Sequence, residues 1–316
     1  MTPPHNPAVD GDRRVVINEV GLRDGLQNFP VILSIDAKLD LYTALRRAGL
    51  RRFELTSFVS PKAVPALADA ADFVARVPRD ETLLTALVPN RRGYERARAA
   101  GLRSVAVVLA ATETLNQKNI RMSLPAAAAE CAAVCRAAKE DGVHVRAYVA
   151  AACACPYEGI TEGTRVMELA AAMLEAGAHE IALADTIGAG HPAQVEALFG
   201  AAVAQFGAAR LAAHFHDTRA MALTLSWIAL KAGVRRFDAS IGGLGGCPFA
   251  PGASGNLATE DLAFMLEQSG FETGLSVDGL MAAAAVAGRL LGAPVGGKIG
   301  PWYAAQQRHE GARSVH

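Results

Sequence analysis

Two histidines, His214 and His216, stand one residue apart in the run HFHDT. On a strand, residues i and i+2 face the same side. Two imidazoles on one face can share a metal ion, or can each form a local hydrogen bond. Asp24, beside Arg23 in the run GLRDGLQN, would complete a set of two histidines and one carboxylate. Asn256 would add a neutral amide oxygen. Such N/O donors without thiolate leave Zn, Mn, Mg, Fe and Co open. Arg23 is the type of residue that opposes developing negative charge; its plain alternative is a surface ion pair. Glu54 and Asp185 are acids suited to supporting such a site or positioning a substrate.

The run SIGGLGGCPFAPGASGN holds six glycines between Gly242 and Gly255, with one cysteine, Cys247. Glycine permits close backbone approach, so such a stretch suits a loop that wraps a ligand. A thiol in it is a candidate acid or nucleophile, against the plainer reading of a passive loop cysteine. Cys131 and Cys135, at i and i+4, read as helix packing. Cys153 and Cys155 lack the spacer of common zinc pairs and also read as packing or loop residues.

These residues need a scaffold. Strand-like runs start near Val15, Arg52, Glu81, Ser104, His144, Glu180, Leu211 and Arg235. They recur about every 31 residues, the length of a strand, a helix and two loops. Ser34 caps a helix that stops at Gly49, and Ser123 with Pro125 opens an Ala-rich helix that stops at Gly142. Eight such units predict a (β/α)8 TIM barrel, with additional C-terminal helices over 259–270 and 276–292. The alternative is an open doubly wound sheet, but its G-x-G-x-x-G loop is missing after the first strand. In a barrel the polar groups above all fall at strand C-terminal ends, where active sites form.

The 316 residues divide into an N-terminal tail over 1–14, one barrel domain over 15–300 and a C-terminal tail over 301–316 that frays from about Gln306. Lys+Arg and Asp+Glu are 31 each, which weighs against nucleic-acid or electrostatic membrane binding. No apolar run approaches a membrane span, and Met1–Arg14 has no signal character. Five cysteines without an export signal point to a reducing cytoplasm.

The motifs VGLRDGLQN (20–28), ELTSFVSPKAVPALAD (54–69), YVAAACACPYEG (148–159), LADTIGAG (183–190), HFHDT (214–218) and GGLGGCPFAPGASGNLATED (242–261) resemble the 3-hydroxy-3-methylglutaryl-CoA lyase family. The resemblance runs from about Val15 to Gly292. It implies a TIM barrel and a divalent cation, Mg or Mn, on Asp24, His214, His216 and Asn256. It implies an acyl-CoA substrate split into acetyl-CoA and acetoacetate. Arg23 would stabilise the enolate, Cys247 would move protons, and His214 or Asp24 would be the base. Glu54, Asp185, Gln27 and Tyr148 match substrate-side positions. A homodimer in a bacterial cytoplasm is also implied. Relatives that cleave citramalyl-CoA, and condensing synthases of the isopropylmalate or homocitrate type, are the alternatives. One departure stands out. After HFHDT the chain reads RAMAL, where well-known members carry an aromatic-Gly pair, which puts Arg219 in question for substrate choice.

Overall fold

A computed structural model describes residues 13–246 and 255–313. Eight parallel strands form its centre: β1 (Val16–Glu19), β2 (Arg52–Ser57), β3 (Leu83–Leu87), β4 (Ser104–Ala110), β5 (His144–Ala150), β6 (Glu180–Asp185), β7 (Leu211–Phe215) and β8 (Arg236–Ala239). Each strand pairs with its neighbours in sequence, and β1 closes on β8 through Val16↔Arg236 to Glu19↔Ala239. The sheet is a closed barrel, which excludes the open-sheet alternative.

Helices cover the outside. They are α1 (Ile35–Arg47), α2 (Ala70–Arg76), α3 (Arg91–Ala99), α4 (Glu113–Ile120), α5 (Leu124–Glu140), α6 (Gly163–Glu175), α7 (Pro192–Phe206), α8 (Ala222–Lys231), α9 (Thr259–Gln268), α10 (Val277–Leu291) and α11 (Gly300–Arg313). The anticipated caps are present. Ser34 accepts from Ala37 N at 3.2 Å and Ser123 from Ala126 N at 3.3 Å. Gly49 ends α1 with φ +107, a backbone that a residue with a Cβ rarely adopts. No described helix is long and apolar enough to cross a membrane.

The main core lies between strands and helices. There the outward residues of each strand, such as Phe53, Leu55, Val145 and Ile181, meet Leu41, Val134 and Phe199. The barrel interior differs. A small cluster of Leu87, Ala106, Tyr148, Ala182 and Ala212 fills part of it, and the alanines leave room for the tyrosine ring. The rest is charged. Buried Arg146, Glu180, Asp238, Glu54 and His214 point inward by the same i, i+2 alternation. At the bottom Glu180 pairs with Arg146 at 3.0 Å, Arg236 at 3.2 Å and Arg52 at 3.5 Å.

Two differences from the sequence reading concern connections and ends. A short hairpin, Ala154–Cys155 with Gly159–Ile160, follows β5. The segment 301–316, expected as a tail, is largely the helix α11. Trp302 packs on Phe264 of α9 and Tyr303 donates to Asp278 of α10 at 2.9 Å, so two aromatic anchors hold its first turn. Residues 1–12 of the expected N-terminal tail lie outside the described residues.

Candidate metal centre and active-site pocket

The barrel's C-terminal mouth holds a cavity of about 240 Å³. Arg23, Asp24, Gln27, Tyr148, His214 and His216 line its polar end. Val59, Val64, Leu87, Pro89, Val108 and Leu115 line its apolar wall. A wider groove of about 680 Å³ between α6 and α7 contains none of the candidate site residues, so size alone does not locate the chemistry.

Arg23 and Asp24 leave β1 on one wide turn of π-helical form, Gly21–Gly25. The carbonyl of Val20 accepts from the backbone N–H groups of Arg23, Asp24 and Gly25 at 3.1, 2.7 and 3.2 Å. Turns of this kind are frequent at functional sites, and this one carries both Arg23 and Asp24 to the cavity. Glu19 anchors the turn: its carboxylate accepts from Gly21 N at 2.8 Å, Ile241 N at 2.9 Å and Thr259 Oγ1 at 2.6 Å. It thereby ties the β1 turn to the base of the Gly-rich segment.

Three donors converge. Asp24 Oδ2 lies 4.0 Å from His214 Nε2 and 3.9 Å from His216 Nε2, and one ligand atom from each of the three lies within 4.8 Å of the others. These spans are long for a hydrogen bond. They suit donors that share one cation at about 2.1 Å each. Two imidazoles and a carboxylate are a donor set that fits a divalent metal. Asn256 is beside them, giving its amide nitrogen to Asp24 Oδ2 at 2.8 Å and to Leu244 O at 3.0 Å. Gly245 allows this approach. A Cβ there would collide with the Asn256 amide, and its φ is +124.

Charge is arranged tightly around the donors. Arg23 NH1 donates to Asp24 Oδ1 at 2.6 Å, and its Nε donates to the fully buried Glu54. Burial opposes the charge on Arg23, but Asp24 and Glu54 outweigh it and keep the guanidinium protonated. Burial likewise pushes the Asp24 carboxyl up; Arg23 and the histidines overcome this and bring it to about 2. Tyr148 OH lies 2.8 Å from both Glu54 Oε2 and Asp238 Oδ2, so it bridges two buried carboxylates.

The anticipated residues are placed as follows. Arg23, Asp24, Gln27, Tyr148, His214 and His216 share the cavity, with Glu54 directly behind Arg23. Asp185 is turned away: both its oxygens accept from its own loop, from Ala189 N at 2.9 Å and Gly190 N at 2.8 Å. It shapes the loop that presents Thr186 to the cavity rather than lining the cavity itself. Cys247 lies outside the described residues; Gly246, just before it, lines the cavity mouth. Cys131, Cys135, Cys153 and Cys155 are buried and free, as packing residues should be.

Arg219 does not reach the cavity. Its guanidinium donates to Gly188 O at 2.9 Å and Gly190 O at 3.2 Å, and so fastens the loop after β6 to the loop after β7. Sequence reasoning passed over Asp238 and Arg146. Their signal was present as parity, since Arg236 and Asp238 on β8, with Ser240 just past its end, alternate as His144, Arg146 and Tyr148 do along β5.

Comparisons with known proteins give the family of the chain. The HMGL-like family model matches residues 14–287. A hydroxymethylglutaryl-CoA lyase of Bacillus subtilis is 43% identical over 284 residues, covering 90% of this chain and 95% of the relative. A crystal structure of a Bacillus subtilis HMG-CoA lyase superposes with a TM-score of 0.89 at 41% identity, covering 96% and 100% of the two chains. An HMG-CoA lyase from Acinetobacter baumannii, solved in complex with coenzyme A and 3-methylmalate, gives a TM-score of 0.88 at 36% identity over 94% and 96%.

Proposed function

The chain belongs to the HMGL-like family, and from that premise we propose that it is a hydroxymethylglutaryl-CoA lyase. It cleaves 3-hydroxy-3-methylglutaryl-CoA to acetyl-CoA and acetoacetate. The observation that carries this reading is the placement of Arg23 against the triad Asp24, His214 and His216 at the polar end of one cavity.

Asp24, His214 and His216, with Asn256 beside them, would hold a divalent cation, proposed as Mg or Mn. When bound, it supplies Lewis acidity that lowers the pKa of the substrate's C3 hydroxyl. The protein does the rest. Of the two candidate bases, Asp24 takes the hydroxyl proton in this reading, because both ring nitrogens of His214 are engaged, Nδ1 by Asp238 and Nε2 toward the cation. The C2–C3 bond then breaks, and its electron pair passes into the thioester as an enolate. Arg23 faces that charge with its guanidinium already fixed by Asp24 and Glu54, so little reorganisation is needed when the charge forms. Cys247 then delivers a proton to the enolate carbon. Gln27 and Tyr148 contact the substrate at the cavity wall, with Glu54 bracing Arg23 and Tyr148. Asp185 is assigned the supporting task of shaping its loop. The apolar wall of Val59, Val64, Leu87 and Val108 suits the C3 methyl group and keeps water from the enolate.

The reading carries the expected setting with it: a homodimer in a bacterial cytoplasm.

The test is acetyl-CoA release from a panel of hydroxyacyl-CoA thioesters, with Mg or Mn and after chelation. Release from HMG-CoA that stops on chelation is expected. Preference for citramalyl-CoA would reassign the substrate. Release of free thiol from acetyl-CoA and a 2-oxo acid would make the enzyme a synthase, and no turnover of any thioester would sink the reading.

A further inference from the structure

Asp238 is the register partner of His214 in the parallel pair β7–β8, and of Asn18 in the pair β1–β8. Strand pairing alone therefore sets these residues at one level of the barrel interior. The Asp238 carboxylate is buried and held at both oxygens. Oδ1 accepts from Arg146 NH1 at 2.6 Å and Asn18 Nδ2 at 3.1 Å. Oδ2 accepts from Tyr148 OH at 2.8 Å and meets His214 Nδ1 at 3.0 Å. A carboxylate pinned from both sides cannot rotate away.

A neutral imidazole has one N–H and one lone pair, and which nitrogen holds which depends on its partners. A carboxylate can only accept. Asp238 thus fixes the proton on Nδ1 and leaves the lone pair on Nε2, the atom that faces Asp24. We infer that Asp238 is a positioning residue for the metal centre, selecting the His214 tautomer and ring orientation able to ligate. Such outer partners commonly set metal affinity by 10- to 100-fold. The inference rests on the metal-lyase reading above. Its competitor is a purely structural role for Asp238 as the counter-ion of Arg146, which leaves the imidazole indifferent to the carboxylate.

The test reads metal binding and tautomer directly, using the full chain. Free Mn(II) is titrated by electron paramagnetic resonance against wild type and the variants Asp238→Asn, Asp238→Ala and Asn18→Ala. Wild type should bind Mn(II). Asp238→Ala should weaken it roughly 10- to 100-fold, and Asp238→Asn, whose amide oxygen can still accept from Nδ1, should lie between. Asn18→Ala, which touches only the other oxygen, should match wild type. Removing Asp238 takes from Arg146 one of its two buried carboxylate partners, so a variant can fail to fold; the tautomer is therefore also read in wild type. In ¹⁵N-histidine-labelled protein, His214 should show a protonated Nδ1 and a bare Nε2, assigned by its loss in His214→Gln. A protonated Nε2, or unchanged Mn(II) affinity in folded Asp238→Ala, overturns the inference alone. No Mn(II) binding by wild type overturns the metal reading and this inference with it.

Discussion

The Nε of Arg23 donates to a carboxylate, that of Glu54, which has no surface open to solvent. Glu54 sits in β2 and Arg23 on the turn after β1, so adjacent strands deliver the pair. Its second oxygen lies 2.8 Å from the Tyr148 hydroxyl, whose one proton it shares with Asp238, and this contact resists the carboxylate following Arg23 if the arginine shifts. Glu54→Gln keeps the shape and removes the charge. Turnover should fall on the order of 100-fold, the scale of an angstrom-sized misplacement of a catalytic group. The Michaelis constant should move much less, because the cavity walls remain. Steady-state kinetics at saturating metal measure both; turnover within a few-fold of wild type would free Arg23 from dependence on Glu54.

Arg219 offers a test of where substrate selection does not lie. Its guanidinium is spent on the carbonyls of Gly188 and Gly190. The side chain is exposed, so each bond is worth about 1 kcal/mol at most. Arg219→Ala should leave turnover within about threefold and lower the melting temperature slightly. The neighbouring Ala220 has φ +56, a left-handed backbone that costs a non-glycine residue about 1 kcal/mol. Ala220→Gly should therefore leave stability level or raise it by up to about 1 kcal/mol in a thermal melt. A tenfold loss of turnover in Arg219→Ala would return this arginine to the substrate.

The role given to Cys247 is checked by separating chemistry from metal binding. Cys247→Ala removes the proposed proton donor and none of the three convergent donors. Turnover should drop by at least about 100-fold, as loss of a general acid requires. Mn(II) affinity should stay put in a direct titration. Full turnover would remove the thiol from the mechanism.

Much of this centre was legible in the sequence for a simple reason. His214 and His216 are two apart on a strand, and Asp24 follows another strand, so strand parity and barrel closure bring them together without knowledge of any side-chain contact. Asp238 and Arg146 escaped notice because charged residues on strands usually face water, and their partners lie on other strands. The barrel interior reverses that rule by pairing each charge. Asp185 was expected at the cavity, but the nearby N–H groups of Ala189 and Gly190 claim its oxygens, a local competition that spacing does not reveal. Helix α11 was read as a tail because its hold depends on Trp302 and Tyr303 meeting α9 and α10.

Glu19 makes the barrel mouth sensitive to pH. Burial raises its carboxyl from the ordinary 4.5 to about 7, against the hydrogen bonds from Thr259, Ile241 and Gly21, which lower it. Between these values the folded protein holds a proton that the unfolded chain has released. Stability from this group is therefore full below about pH 4.5 and is lost as pH rises to about 7. Glu19→Gln copies the neutral acid: its oxygen can accept from the two backbone N–H groups, and its nitrogen can donate to Thr259 Oγ1. The variant should lack this decline and gain on wild type above pH 7, by on the order of 3 kcal/mol at the limit. Denaturant unfolding across the range compares the two slopes. A variant that tracks wild type at every pH would show that Glu19 enters the folded state already charged. The turn holding Arg23 and Asp24 would then be tied to Thr259 by a buried anion rather than by a neutral acid.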